Sequence, residues 1–446
     1  MEHTPLRIAL ISEHASPLAA LGGTDAGGQN VYVAHVARHM ARAGHHVDVL
    51  TRRDAPHLPG AVDICPGMRV LHIDAGPATH LPKETLLAHM PAFSASAMKL
   101  MRHSVPYDIV HANFFMSGMV GLRLREQLRL PLVVTFHALG LVRREHQGDA
   151  DCFPKARIGI ERELVHTAER VVAECPQDKS DLMRLYGGVA SRIDTVPCGV
   201  DLSQFSPGSQ SQARQRLGLA EHEFVVLQLG RIVPRKGIDN VILAVAKMRP
   251  DVRVRLIVVG GDAAGPDEQV TPEIGRLRAL ASQCGIENRV TFTGHRQPEA
   301  LRDYYVAADV FVSTPWYEPF GITPLEAMAC GRPVIGSAVG GIQYSVVDEV
   351  TGYLVKPRDP TALAHRLELL HDNPALAQAL GRAGARRVRE RFTWEQVTAS
   401  LIQVYGAARA TPMRRPMRRL SLVAKRAMPA EHTAHALDLT SAVAQR

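Results

Sequence analysis

Short runs of aliphatic and β-branched residues alternate along the chain with longer stretches whose apolar positions recur at helical spacing. In the first half, Arg7–Ile11, Val47–Leu50, Arg69–Ile73, Ile109–His111, Leu132–Thr135, Val171–Ala173 and Ile193–Val196 predict strands. Asn30–Ala43 and Pro176–Tyr186 predict helices between them. A stretch rich in Ser, Gln, Pro and Gly, Asp201–Gly218, reads as a linker. The alternation then restarts, with strands at Phe224–Leu229, Arg253–Val259, Arg289–Thr293, Val310–Ser313 and Pro333–Gly336 and helices such as Ile238–Lys247 and Pro298–Ala307. The last strong helix is Trp394–Ala407. Apolar strands separated by helices are the pattern of a parallel sheet covered on both faces. Two such halves predict an α/β protein with a cleft between them, its ligands at the carboxyl ends of the strands.

Composition narrows this picture only where charge is concerned. The 446 residues, 46% hydrophobic and 22% charged, are ordinary for a globular protein of more than one domain. The net charge is +8, but seven basic residues against two acidic ones in 411–446 supply five of those charges. That tail has no aromatic residue to stack on bases, so nucleic acid is not expected as the partner. Bases alternating with Leu420, Leu422 and Val423 suit weak peripheral attachment to an anionic membrane, or simply a solvated tail. No apolar run reaches the ~18 residues of a membrane span, and the start lacks the features of a secretory leader. The six cysteines are scattered without a C-x-x-C pair. A soluble, cytoplasmic protein is expected.

Three loops hold the chemistry. Gly22-Gly23-Thr24-Asp25-Ala26-Gly27-Gly28-Gln29-Asn30 lies between the first strand and a helix, where backbone N–H groups can approach an anion. It is neither G-x-G-x-x-G nor a P-loop, which disfavours a dinucleotide cofactor. In the second half, Gly230-Arg231 and Lys236-Gly237 follow a strand, and two fixed cations there can neutralise a diphosphate without a metal. The third loop is Trp316-Tyr317-Glu318-Pro319-Phe320-Gly321-Ile322-Thr323-Pro324-Leu325-Glu326. Pro324 suits a first helical turn with Thr323 as N-cap, leaving Glu318 in the loop and Glu326 near the helix start. Carboxylates so placed suit the vicinal hydroxyls of a ribose or hexose. His111 and His137 end strands at the mouth of the first sheet, His111 more in keeping with a structural role. Asp149-Ala150-Asp151 matches a D-x-D metal motif but stands in a Gly/Asp loop, and reads as a chance match.

These residues together resemble the retaining, nucleotide-sugar-dependent glycosyltransferases of family 4, which have the GT-B fold of two Rossmann-like domains. The resemblance spans residues 6–407 and rests on Glu318-x7-Glu326 within EPFGITPLEAMACGRPVIGS, on Val339-Gly340-Gly341-Ile342, on TGYLV at 351–355, and on Pro197-Cys198-Gly199-Val200-Asp201. The glycine-rich GGTDAGGQNVYV is similar to the branch of sucrose-phosphate synthases, sucrose synthases and inositol-phosphate N-acetylglucosaminyltransferases. The resemblance implies a first domain of 1–203 completed by a crossing helix at 391–410, a second of 204–390, and closure around the sugar donor. It implies that Gly27 and Gly28 meet the donor diphosphate, and that Arg231 and Lys236 stabilise it as leaving group. Glu326 would hold the ribose, Glu318 the transferred sugar near its 3-hydroxyl, and the backbone of Phe320, Gly321 and Ile322 sugar and phosphate. His137 would act at the 6-hydroxyl, and Gly294-His295-Arg296 would seat the nucleobase. On the acceptor side it implies Asn30, Lys83 and Arg157. Two expected hydroxyl donors there are replaced by Phe114 and Ala138, so inositol phosphate does not follow directly. The expected activity is hexose transfer from UDP-glucose, with GDP-mannose second, to a sugar, sugar phosphate or related acceptor. Neither a metal nor a cofactor beyond that co-substrate is expected. The rival readings are a catalytically degenerate nucleotide-sugar- or membrane-binding relative, and a basic two-lobed binding protein acting on nucleic acid or membrane through its tail.

Overall fold

The apolar runs are buried because helices cover both faces of the sheets they form. The structure, a computed structural model, describes residues 4–18 and 27–413. The glycine-rich residues 19–26 and nearly all of the basic tail lie outside them.

Eight strands form the first sheet: β1 (Arg7–Ile11), β2 (His46–Arg52), β3 (Ala61–Cys65), β4 (Met68–Ile73), β5 (Ile109–Asn113), β6 (Leu132–Thr135), β7 (Arg170–Ala173) and β8 (Ile193–Thr195). Their order is β3-β4-β2-β1-β5-β6-β7-β8, parallel throughout except for β3 against β4. The second sheet holds β9 (Phe224–Leu229), β10 (Val254–Val259), β11 (Val290–Gly294), β12 (Val310–Ser313), β13 (Val334–Ser337) and β14 (Gly352–Val355). It is fully parallel, in the order β11-β10-β9-β12-β13-β14. The strand order reverses at β1/β5 in the first sheet and at β9/β12 in the second, so each sheet opens a crevice at those carboxyl ends.

Three local expectations are corrected. The hairpin strand β3 was not anticipated, although Pro66-Gly67 marks its turn. The stretch 201–218 is not all linker, because Gln210–Leu217 is a helix, N-capped by Ser209 and ended by Gly218. The helix carrying Glu326 is Ile322–Ala329, so its N-cap is Gly321 and Thr323 lies inside the first turn.

The chain passes between the halves twice, and the two crossings touch. Val200 pairs with Thr393 in a short parallel bridge, with the Val200 amide 2.9 Å from the Phe392 carbonyl oxygen. There Thr393 opens the last helix, Trp394–Ala410, in a capping box with Gln396. That helix returns to the first half. Trp394, 1% exposed, stacks on His35 at 5.0 Å, and the Tyr405 hydroxyl meets His111 Nδ1 at 2.7 Å. His111 also bonds Thr135, and burial pushes it down to about 3, so it is a neutral structural histidine. One apolar cluster runs unbroken from the helix Gly28–Arg42 through Val200 and Trp394 to Phe320 and Leu325. Among the described residues no helix is long and apolar enough to cross a membrane.

Candidate functional site

The loops after β9 and β12 meet at the second crevice and bring opposite charges together. Lys236 Nζ lies 2.5 Å from Glu318 Oε2, and Arg235 NH1 is 3.6 Å from the same oxygen. Burial favours the neutral forms of both partners. For Lys236 it dominates and, with the charges of Arg235 and Arg231, holds the ammonium below its ordinary range despite Glu318. For Glu318 burial pushes upward, but the charges of Lys236 and Arg235 outweigh it and hold the carboxyl below its ordinary value.

Backbone packing explains how the loops come so close. Gly237, at φ 67°, follows Lys236, and a side chain there would strike the Thr314 carbonyl. Gly340, at φ 47° after β13, leaves no room for a Cβ against the Glu318 carbonyl. Any L-residue would face both strain and a clash at these two positions. The Trp316 amide also donates to the Arg235 carbonyl at 2.9 Å, tying one loop to the other.

Around this pair the expected residues take up distinct positions. Glu326 sits on the helix Ile322–Ala329 and accepts from the Tyr305 hydroxyl at 2.6 Å. Burial pushes it up to about 7, partly offset by that hydrogen bond. Phe320 turns its ring into the core and leaves its backbone to the loop, ahead of Gly321 and Ile322. His295 and Arg296 follow β11, where the His295 amide donates to Ala263 and the Arg296 guanidinium binds Tyr304 Oη and the Ala264 carbonyl. Arg231 is exposed at the crevice edge.

From the first half, Gly28 approaches to where a Cβ would lie 3.7 Å from Ile322 Cδ1, so the two anion-facing loops are neighbours across the cleft. Gly27 is the extended N-cap residue of the helix beginning at Gly28. The helix Gly140–Gln147 reaches across as well: Gln147 Nε2 donates to Tyr317 Oη at 2.5 Å and His146 stacks on the Tyr317 ring. Cys175 Sγ donates to the Pro319 carbonyl at 3.4 Å.

His137 follows β6 in a left-handed backbone conformation, φ 56°. Its Nδ1 is 2.8 Å from Glu174 Oε1 and its Nε2 is 3.0 Å from Asn113 Oδ1.

The acceptor-side residues are more heavily engaged. Asn30, 3% exposed, accepts from the Gly27 amide and donates to the Ser16 carbonyl, so its amide is taken up by these two backbone groups. Arg157 is 1% exposed, with Nε on Glu161 at 2.7 Å and NH2 on the Ala138 carbonyl at 2.5 Å. Phe114, Phe115 and Phe153 pack round its guanidinium, and NH1 alone is left without a hydrogen bond. Lys83 opens the 3₁₀ helix Lys83–His89 that follows β4. Asp151 of the D-x-D match is bound to Arg143 at 2.9 Å.

Sequence reading overlooked Arg235, which stands beside Lys236 and needed only the same argument. It also overlooked Tyr305, Asn113 and Glu174, whose partners lie 21 to 37 residues away and leave no local signal.

Comparison with known proteins fits this geometry half by half. Residues 26–204 match the family described as Glycosyltransferase Family 4, and residues 209–387 match Glycosyl transferases group 1. The D-inositol 3-phosphate glycosyltransferase of Xylanimonas cellulosilytica is 38% identical over 422 residues, 92% of this chain and 98% of that protein. Its counterpart in Corynebacterium diphtheriae is 37% identical, covering 90% of this chain and 95% of that one. Sucrose-phosphate synthase from Thermosynechococcus elongatus superposes with a TM-score of 0.82 at 37% identity, over 90% of this chain and 98% of its own. Anabaena HepE, solved with UDP and glucose, shares the fold at a TM-score of 0.72 and 23% identity, over 90% of this chain and all of its own. The pairing of Lys236 with Glu318 at one switch point, faced by the Gly28 helix from the other sheet, is therefore the cleft of a glycosyltransferase, and the chain belongs to glycosyltransferase family 4 with the GT-B fold.

Proposed function

We propose that the protein transfers a hexosyl group from a nucleoside diphosphate sugar to a hydroxyl of a sugar, sugar phosphate or related acceptor, with retention of anomeric configuration and without a metal. UDP-glucose is the favoured donor and GDP-mannose the second. The observation that carries the reading is the partly buried contact of Lys236 with Glu318, flanked by Arg235 and Arg231. A diphosphate entering there offers Lys236 a second anion, and the ammonium then spans leaving group and carboxylate. Charge growing on the departing diphosphate meets cations already in position, Lys236 and Arg235 being partly shielded from water. Glu318, relieved of part of its ion pair, accepts from a sugar hydroxyl. Glu326 accepts from the ribose. The acceptor hydroxyl attacks from the face the diphosphate leaves, and a diphosphate oxygen takes its proton.

On the acceptor side, the names of the inositol 3-phosphate enzymes favour a phosphorylated polyol. Phe114 and Ala138 remove two hydroxyl groups from the phosphate-binding set, and Arg157 has one uncommitted nitrogen. A charged hydrogen bond contributes ~1.5–3 kcal/mol, so two fewer would substantially weaken a phosphate at this position. The acceptor assigned is accordingly a hydroxyl compound in which phosphate contributes less to binding. Weak peripheral membrane attachment through the basic tail is carried forward as part of this reading.

The test is thermal-shift and turnover assay with UDP-glucose, GDP-mannose and ADP-glucose, against inositol 3-phosphate, free inositol and hexose phosphates, with Glu326→Ala alongside. Selective response to one sugar donor, lost in the variant, is expected. NMR of the product's anomeric proton reads the stereochemistry, and chelator insensitivity reads the metal. No binding of any nucleotide sugar would overturn the assignment.

A further inference from the structure

The residue behind His137 has no part in the reaction outlined above, yet it is a buried carboxylate with two side-chain donors on it. Glu174 follows β7, two strands across the sheet from β5 and next to β6, which His137 follows. It is 3% exposed. Its Oε1 accepts from His137 Nδ1 at 2.8 Å and from Cys198 Sγ at 3.3 Å. Its own amide donates to Asp178 Oδ2 at 3.0 Å. Burial and the Glu174 charge push Asp178 up to about 8, so Asp178 is largely neutral at pH 7 and does not compete as the local anion.

The imidazole is held from its remaining sides as well. Asn113 donates through Nδ2 to the Ile11 carbonyl, which turns its Oδ1 toward His137 Nε2. The Tyr32 ring meets the imidazole edge-on at 4.8 Å. The left-handed backbone at His137 is a strained conformation for a residue with a side chain, and such strain persists where surrounding contacts over-determine it. Of these contacts only the one to Glu174 carries charge.

We infer that Glu174 is a positioning residue: its carboxylate holds His137 by Nδ1, keeps a proton on that nitrogen, and keeps Nε2 turned toward Asn113. The inference rests on the proposed transfer reaction, in which His137 contacts the transferred sugar. A carboxylate fixed behind an imidazole does two things at once. It keeps a proton on Nδ1, and it presents negative potential toward positive charge developing on the sugar ring.

Glu174→Gln keeps an acceptor and the side-chain volume but removes the charge, and Glu174→Ala removes both. In turnover of the nucleotide sugar that wild type uses, kcat is expected to fall about tenfold in the first and up to about a hundredfold in the second, with donor KM within about twofold. In a His137→Ala background, Glu174→Ala should cost nothing further. A second readout does not need turnover. In the full chain labelled with 15N-histidine, the His137 ring signals are identified by their loss in His137→Ala. Wild type is expected to carry a proton on Nδ1 as well as on Nε2, which faces Asn113 Oδ1, and Glu174→Ala to lose the Nδ1 proton and keep the one on Nε2.

The inference is overturned if Glu174→Ala leaves kcat and the ring signals unchanged, or if its loss is as large without His137. Failure of wild type to turn over any nucleotide sugar would strike the proposed function instead, and the ring signals would still decide the role of Glu174.

Discussion

In the proposed donor site, Glu326 makes binding depend on pH. Its carboxyl is buried beside Tyr305 and pushed up to about 7. If ribose hydroxyls donate to it, the bound state favours the carboxylate and binding expels a proton. The apparent Kd then scales as one plus the ratio of protonated to ionised carboxyl. That factor is about 1.1 at pH 8, about 2 at pH 7 and about 11 at pH 6, so affinity falls roughly tenfold, ~1.4 kcal/mol, from pH 8 to pH 6. The ligand must be an intact nucleotide sugar, because the terminal phosphate of a free diphosphate itself titrates near pH ~6. Isothermal titration with UDP-glucose in two buffers of different ionisation enthalpy should read about half a proton released per binding event at pH 7. Glu326→Gln should bind more weakly at pH 8 and show no slope. A wild-type curve parallel to that of Glu326→Gln, or affinity that strengthens on acidification, would refute the ribose assignment.

The same group makes a second forecast, on stability. Its folded value lies above the ordinary 4.5, so the cost of ionising it grows as pH rises from 4.5 through 7. Glu326→Gln should therefore melt higher than wild type at pH 8, by an amount equivalent to ~1–3 kcal/mol, and nearly level with it at pH 4; thermal unfolding at the two pH values checks this. Lys236→Ala removes the central cation of the leaving-group site and should lower kcat by about 10²–10³ with a smaller change in donor KM, read by steady-state kinetics. Tyr405→Phe deletes the hydrogen bond to His111 and should destabilise the protein by ~1 kcal/mol in denaturant unfolding while leaving turnover unchanged.

What the sequence made legible, and what it hid, follows from the kind of force at each place. Strands such as Phe224–Leu229 and Val310–Ser313 are buried on both faces, and their apolar runs announce them. The helix Gln210–Leu217 is held differently. Ala213 is its one fully buried apolar residue, and Arg214 anchors it through Asp309 at 2.6 Å, so no apolar stripe betrays it. Its Ser209 and Gly218 were the available signals, and they were read as marks of a linker. The loops bearing Lys236 and Glu318 stood out because glycine and proline patterns survive in sequence. Their contact did not, since 82 residues separate them. The engagement of Arg157 and Asn30 was hidden for the same reason: a list of residue types cannot tell a side chain turned to a ligand from one already bound within the fold.

The touching crossings at Val200 and Thr393 set how this molecule can be cut and recombined. Residues 4–200 without 393–410 would expose Tyr32, His35 and His111, which Trp394 and Tyr405 cover. The first half is thus a discontinuous unit, and the second an insertion whose two ends lie side by side. A chimera that exchanges the second half should replace 201–392 as a single cassette. Both joints then fall at one bridge, and the first half keeps its own last helix.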